Sequence, residues 1–576
     1  MLKIKSFIII LAICFAAGNF LFAADEFVCG TTEGMVVQSV PRIGQVAAIV
    51  IYSCDYDAST YDLPDWYDDI CDTNYQYSIP NYFKDISFGN HILTMTPYGR
   101  NDTECFVSNV KIDIDAFVQK AYFDDVMAQA DAIIDFAEFD NDGPDGIPNS
   151  GDDDGYVDFL FFVVVNHGYG RGVVSAYNYT TEDDAAGGGK IKISSSKSNR
   201  NITGARLSAE LILSHEYGHA LGLPDLDHSG SLKYNHYAIG GFGLMVNSNG
   251  FDDRQGCINP WFRSSGSHNW QLGWIDPIMV STLINHQIKD FQTEQELYLL
   301  PSFDADQYFC LTNHLQISGW ELYWPGKGLL IWHVNKKGST SDRRRKPIDI
   351  EAAHGLYVWN FSDTINTFQP DPETGSDSLD VRGVYEYRHH GSASCYFKEE
   401  YNENFDNNSN PSSKLYQYSS PYAQNIISHV AVKNIHNHPS MNNVIIADLS
   451  SNYWSNDISS NEIWSGQIYV GDDITVLSGV TLTIELGTTI KFASGTELKI
   501  NGTLNAQGSS ANPITFTSAN ASPAAGDWNW IKFDSGTGTL EYCNIEYARF
   551  GLWFYGAASD PTVENCTVEN CSYYGA

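Results

Sequence analysis

The chain has 576 residues, enough for two to four domains, and a formal charge of −37 from 33 basic and 70 acidic residues. Such a charge repels nucleic-acid phosphates and anionic membrane surfaces, so neither is an expected partner, and it draws divalent cations. The eleven cysteines are scattered rather than set in paired CxxC knuckles, which fits disulfides in an exported protein, with Cys54 and Cys71 a reasonable local pair.

Residues 1–24 read as a secretory signal. Lys3 and Lys5 precede an apolar stretch, Phe7 to Ala17, and Ala23-Ala24 supplies the small residues of a cleavage site. No later segment reaches about 18 uninterrupted apolar residues, so no membrane span is expected after the signal is removed. The expected location is outside the cell or on its surface.

Val46 to Tyr52 is continuous and β-branched, the pattern of a buried strand. Ser78 to Ser87 reads as a helix with Pro80 near its start, and Ile112 to Phe136 shows helical spacing. An acidic loop follows, Asp140-Asn141-Asp142-Gly143-Pro144-Asp145-Gly146, running on to Asp152-Asp153-Asp154-Gly155 and Asp158. Oxygen donors at alternate positions around a glycine turn suit a hard cation, so Asp140, Asp142, Asp154 and Asp158 are the expected calcium ligands. The alternative is a solvated acidic turn. The loop feeds Val157 to Val165, apolar on both faces and therefore a central strand. Lys190 to Ser194 is a candidate edge strand for binding an extended peptide backbone.

The run His215-Glu216-Tyr217-Gly218-His219-Ala220-Leu221-Gly222-Leu223-Pro224-Asp225 carries the chemistry. Two histidines four apart on a helix stand on one face and can share a metal ion. Ser208 is a plausible N-cap for that helix. Glu216 can take a proton from water on the metal. Gly222 can adopt the left-handed conformation that ends a helix, and Pro224 prevents its resumption, so Asp225 can return as a third ligand. His228 and His236 are rival third ligands. Three protein ligands leave one tetrahedral position open, as a catalytic zinc requires. A chance HExxH is expected only about 0.02 times in a chain of this composition, which favours a metal site over two structural core histidines. Met245 lies downstream in a glycine-rich turn, Gly240 to Val246, suited to an apolar floor beneath the metal.

Residues 296–450 look β-rich, with strands at Leu297 to Leu300, Gln307 to Leu311 and Gly328 to Val334. The loop Asp371 to Asp380 and the basic cluster Arg343-Arg344-Arg345-Lys346 read as polar and solvated. From Trp464 short alternating strands recur, and Cys543-Asn544-Ile545-Glu546 is echoed 23 residues later by Cys566-Thr567-Val568-Glu569. A period of roughly 20 residues predicts an all-β solenoid, a right-handed parallel β-helix that stops partway through a rung; a β-sandwich is the rival.

His215 to Asp225, Met245 in its turn, Trp270 to Ile275, Ser87-Phe88-Gly89 and Gly155 to Asp158 together resemble the immune inhibitor A family of secreted bacterial metallopeptidases. The resemblance spans roughly residues 40–450. It implies an α+β, metzincin-like peptidase, with His215, His219 and Asp225 holding zinc and Glu216 as general base. The short stretch between the signal and Val46 departs from relatives with a long prosegment.

The expected division is therefore a signal at 1–24, a zinc peptidase domain at 25–295, a β-rich extension at 296–450, a linker at 451–462 and an incomplete β-helix at 463–576. The expected function is zinc-dependent endopeptidase action on proteins or peptides, with zinc and calcium as cofactors. The alternative is a cell-surface binding or adhesion protein whose β-helix meets a glycan or another surface ligand.

Overall fold

A computed structural model describes residues 28–29 and 38–576, apart from positions 59, 113–117, 166–170, 174, 204–205, 229–235, 238, 240–241, 246–255, 303, 305, 318–319, 322–323, 325, 339–346, 354–392, 417–423, 443, 521, 557–558 and 574–576. The signal at 1–24, the cluster Arg343 to Lys346 and the loop Asp371 to Asp380 lie outside the described residues.

The N-terminal half is built on one mixed sheet. In chain order its elements are β1 (Val28–Cys29), β2 (Gly44–Asp55), α1 (Ile79–Ile86), β3 (His91–Tyr98), β4 (Phe106–Ser108), α2 (Lys120–Asp131), β5 (Phe159–Val164) and β6 (Arg171–Val173). A hairpin of β7 (Tyr179–Asp184) and β8 (Lys190–Ile193), then β9 (Ser198–Ile202) and α3 (Arg206–Ala220), complete it. The strand order is β1-β6-β9-β5-β2-β3, with β4 also on β2. The strands from β9 to β3 run parallel, and β6 runs antiparallel to β9.

The continuous apolar character of β2 and β5 follows from burial on both faces. Alternate residues divide between two cores. Val50, Tyr52, Phe159, Phe161 and Val163 pack with Phe83 of α1 and with Leu213 and Tyr217 of α3. Ile49, Ile51, Leu160, Phe162 and Val164 pack on the other face with Tyr122, Phe123, Val126 and Met127 of α2. Burying a large side chain contributes roughly 1.5–3 kcal/mol, so this double layer fixes the position of α3.

Ser78 caps α1 by accepting from Asn81 N, as its place before Pro80 suggests. The helical reading of Ile112 to Phe136 is realised more narrowly, in α2 alone and a single short turn at Phe136–Phe139. The disulfide is Cys54–Cys105, not Cys54–Cys71. Parallel pairing of β4 with β2 sets Cys54 opposite Val107 and brings Cys105 alongside, whereas Cys71 is buried next to Tyr52 as a thiol.

The expected strands of the 296–450 region occur as Tyr298–Pro301, Gln307–His314 and Gly328–Asn335 in a five-stranded sheet. Leu330 and Trp332 of this sheet share the core that holds α1 and α3. Three parallel sheets of six, five and four strands follow from Tyr453 to Glu569. Ile468, Ile490, Phe516, Ile545 and Val568 stand in register through successive turns, the inner column of a parallel β-helix. Tyr453–Trp454 already pairs with Tyr469–Val470, so 451–462 belongs to this solenoid and is not a linker. The backbone pairing starts before the sequence period becomes visible.

Candidate metal centre

The helix α3 begins at Arg206, so Ser208 falls inside its first turn and does not cap it. Arg206 ties down this first turn: its guanidinium pairs with Glu210 one turn on, at 3.0 Å, and with Asp69 at 3.1 Å. At the other end Gly222 has φ +92°. The Leu223 N–H bonds Gly218 O at 3.0 Å and the Gly222 N–H bonds His219 O at 2.9 Å, the two bonds of a Schellman C-cap. This turn sends Leu223-Pro224-Asp225 back beside the helix.

His215, His219 and Asp225 come together there, their donor atoms within 4.8 Å of one another. Asp225 Oδ1 lies 3.0 Å from His215 Nε2 and 3.3 Å from His219 Nε2. Each opposite ring nitrogen is held by the backbone: His215 Nδ1 is 3.0 Å from Leu244 O, and His219 Nδ1 is 2.8 Å from Leu223 O. A carbonyl only accepts, so each Nδ1 carries the hydrogen and each Nε2 turns toward the carboxylate. Three acceptors that face one another, two of them on buried imidazoles, need a cation or a proton between them. Burial works to lower the His219 pKa, but the Asp225 carboxylate and Glu216 outweigh it and hold it up at about 9. Burial likewise opposes the Asp225 charge, yet the two imidazoles keep its carboxyl well below the usual carboxylate range. Two imidazoles and one carboxylate oxygen form a zinc donor set, and the residues present fit that ion.

Met245 is buried against this helix. A Cβ added at Gly218, beside His219, would stand 2.5 Å from Met245 Sδ, so the methionine occupies the space that a larger residue would need. Its neighbour Leu244 supplies the carbonyl for His215, and Met245 O accepts from Leu226 N just beyond Asp225. Gly240, Gly241 and Val246 lie outside the described residues, as do the side chains of His228 and His236.

Glu216 is fully buried, and its neighbour across the site is β6: a Cβ added at Gly172 would fall 2.6 Å from Glu216 Cγ and 2.7 Å from Cδ. The strand beside the candidate base is therefore β6. The expected edge strand Lys190 to Ser194 is instead half of the β7–β8 hairpin, with Ile191 and Ile193 buried in the α2-side core. The outer edge of β6 carries β1, with Val28 opposite Arg171 and Cys29 opposite Gly172. The end of α3 is further tied by Arg42, whose Nε bonds Leu221 O and Nη1 bonds Gln271 O, each at 3.0 Å. Neither β1 nor Arg42 carries a sequence signature.

In the acidic loop Asp140, Asp142 and Asp158 draw together within 4.8 Å. Asp154 is not one of the three that converge; Lys197 Nζ lies 2.7 Å from it and 2.9 Å from Asp142, bridging the two carboxylates. Asp158 accepts from Ala47 N on β2 and from Asn141 N, and itself precedes β5. Asp140 Oδ1 is buried with no hydrogen-bond partner. Burial first, then the carboxylates of Asp153, Asp154 and Asp142, push the Asp140 pKa up to about 7; burial lifts that of Asp158 to about 6. Oxygen-only donors of this kind suit calcium. Removing calcium while zinc stays bound is expected to lower the thermal midpoint, because calcium at 100 times its Kd contributes about 2.7 kcal/mol. An unchanged midpoint on chelation and calcium add-back counts against the site.

Residues 460–534 match a family described as a pectate-lyase-like β-helix domain. The match agrees with the stacked parallel strands and covers only that part of the chain. No curated protein matches the chain. Among the described residues no helix is long and apolar enough to cross a membrane.

Proposed function

We propose that the chain is an exported zinc-dependent endopeptidase of the immune inhibitor A kind, with a β-helix module following its peptidase region. The observation that carries this reading is the meeting of His215 Nε2, His219 Nε2 and Asp225 Oδ1, with both Nδ1 atoms spent on backbone carbonyls and Glu216 buried alongside. When bound, zinc supplies Lewis acidity, polarising a carbonyl and making water acidic enough to lose a proton near neutral pH. Glu216 would be the residue that takes up a proton from the attacking water and gives it to the departing amine. The burial of Glu216 beneath β6 keeps its carboxylate out of bulk solvent and close to an extended backbone lying on that strand.

Substrate backbone and β1 would compete for the same edge of β6, since a strand edge binds one extended partner at a time. A variant lacking residues 25–37 keeps Gln38 and Arg42 and is expected to hydrolyse casein severalfold faster than the longer chain. Equal rates would show that β1 does not obstruct the site. The reading as a whole is tested by casein hydrolysis that a zinc chelator stops and added zinc restores; hydrolysis indifferent to the chelator would refute it.

A further inference from the structure

One face of the β-helix is made by Ile474–Val476, Leu498–Ile500, Trp528–Asp534 and Ala548–Tyr555. Ile531 and Phe533 are buried in the core, so alternation turns Trp530, Lys532 and Asp534 outward. Lys499 is in register with Lys532, Lys532 with Trp553, and Asp534 with Tyr555. Phe554 alternates to the opposite side of the strand, stacking on Phe533 at 5.8 Å, and is itself 44% exposed. Gly551 pairs with Trp530 and adds no side chain over it.

The outward rings form one cluster. Trp530 meets Trp553 edge-on at 4.7 Å and Phe550 at 5.7 Å, and Tyr573 stacks on Phe550 at 4.9 Å. Trp553, Tyr555 and Tyr573 are 38%, 58% and 54% exposed. Charged groups frame these rings. Lys499 and Lys532 lie 3.1 Å and 3.4 Å from the same Asp534 oxygen, and Lys532 stands over the rings of Trp553 and Tyr555. Residues 451–576 contain only four basic side chains, Lys491, Lys499, Lys532 and Arg549. Three of them gather here, Arg549 lying over Phe550 and Tyr573.

We propose that this face binds an extended, uncharged β-linked polysaccharide, with Trp530, Trp553 and Tyr555 as the stacking platform. A flat sugar offers C–H groups to a ring face and hydroxyls around its rim. Lys499, Lys532 and Asp534 supply fixed donors and acceptors at the level of the rings, as a hydroxyl rim requires. Rings already held by edge contacts lose little freedom on binding. Trp530 and Trp553 stand on neighbouring rungs of the β-helix, about 4.8 Å apart and close to the length of one pyranose in an extended chain, and Tyr555 lies two residues along the strand from Trp553. Asp534 lies between the two lysines and offsets part of their charge, so a polyanion gains less here than unpaired cations would give it, and the chain's net charge of −37 disfavours an anionic membrane surface. The inference stands apart from the hydrolytic reading and shares no residue with it.

The test is affinity electrophoresis of the whole chain in gels containing hydroxyethylcellulose, glucomannan or polygalacturonate. Retardation by a neutral polymer is expected. Trp553→Ala and Tyr555→Ala should each weaken it about tenfold, with the circular dichroism and casein hydrolysis unchanged. No retardation by either neutral polymer, retardation by polygalacturonate alone, or retention unaltered in both variants would overturn the proposal. Because Trp553 and Tyr555 are exposed, these variants are expected to fold.

Discussion

Glu216→Ala is expected to keep its zinc and to lose roughly 10²–10⁴-fold in kcat for casein hydrolysis. Glu216 does not belong to the group whose donor atoms converge; that group is His215, His219 and Asp225. The carboxylate is buried beside Gly172, and its loss removes a proton carrier without removing a ligand. His219→Ala should behave differently, losing metal and activity together. Measuring kcat and zinc content on the same preparations separates the two roles. Substantial activity in Glu216→Ala would remove the assigned base, whatever the metal content.

Gly172→Ala is expected to be nearly as damaging, from a residue that carries no functional group. The added methyl would sit 2.6 Å from Glu216 Cγ, well inside van der Waals contact. Either β6 retreats from the helix or the Glu216 side chain swings away. Both outcomes separate the base from a substrate lying on β6, and a misplacement of about 1 Å can cost about 100-fold in rate. Zinc content should stay at one per chain, because His215, His219 and Asp225 are held from Leu244, Leu223 and the Gly222 turn rather than from β6. A Gly172→Ala enzyme with full activity would show that β6 does not set the position of Glu216.

The parts of this arrangement that sequence displays are those encoded locally. The apolar runs of β2 and β5, the Ser78–Pro80 start of α1 and the Gly222 stop of α3 each rest on neighbours within a few residues. The third ligand follows from the same logic, since a left-handed glycine and a proline force Asp225 back toward the helix. The inner column of the β-helix was legible through its repeat, although its first strand at Tyr453 lay upstream of any visible period. Long-range pairing was not legible. Cys54 finds Cys105, 51 residues away, because β4 joins β2, while the nearer Cys71 is directed to Tyr52. The three residues of β6 are too few to show an alternation, so the strand beside Glu216 could not be distinguished from the better patterned Lys190 to Ser194. Arg42 reaches carbonyls 179 and 229 residues away, a role with no local mark. Asp154 looked equal to its neighbours as a calcium ligand, and only the folded loop sets it outside the three carboxylates that converge.

X-ray absorption at the zinc edge of the purified, matured protein tests the central claim most directly. The account predicts one zinc per chain with only nitrogen and oxygen neighbours, nitrogen at about 2.0–2.1 Å and carboxylate oxygen at about 2.0–2.2 Å, and loss of that signal in His219→Ala. Absence of stoichiometric zinc, a sulfur shell near 2.3 Å, or a signal that survives His219→Ala would contradict it.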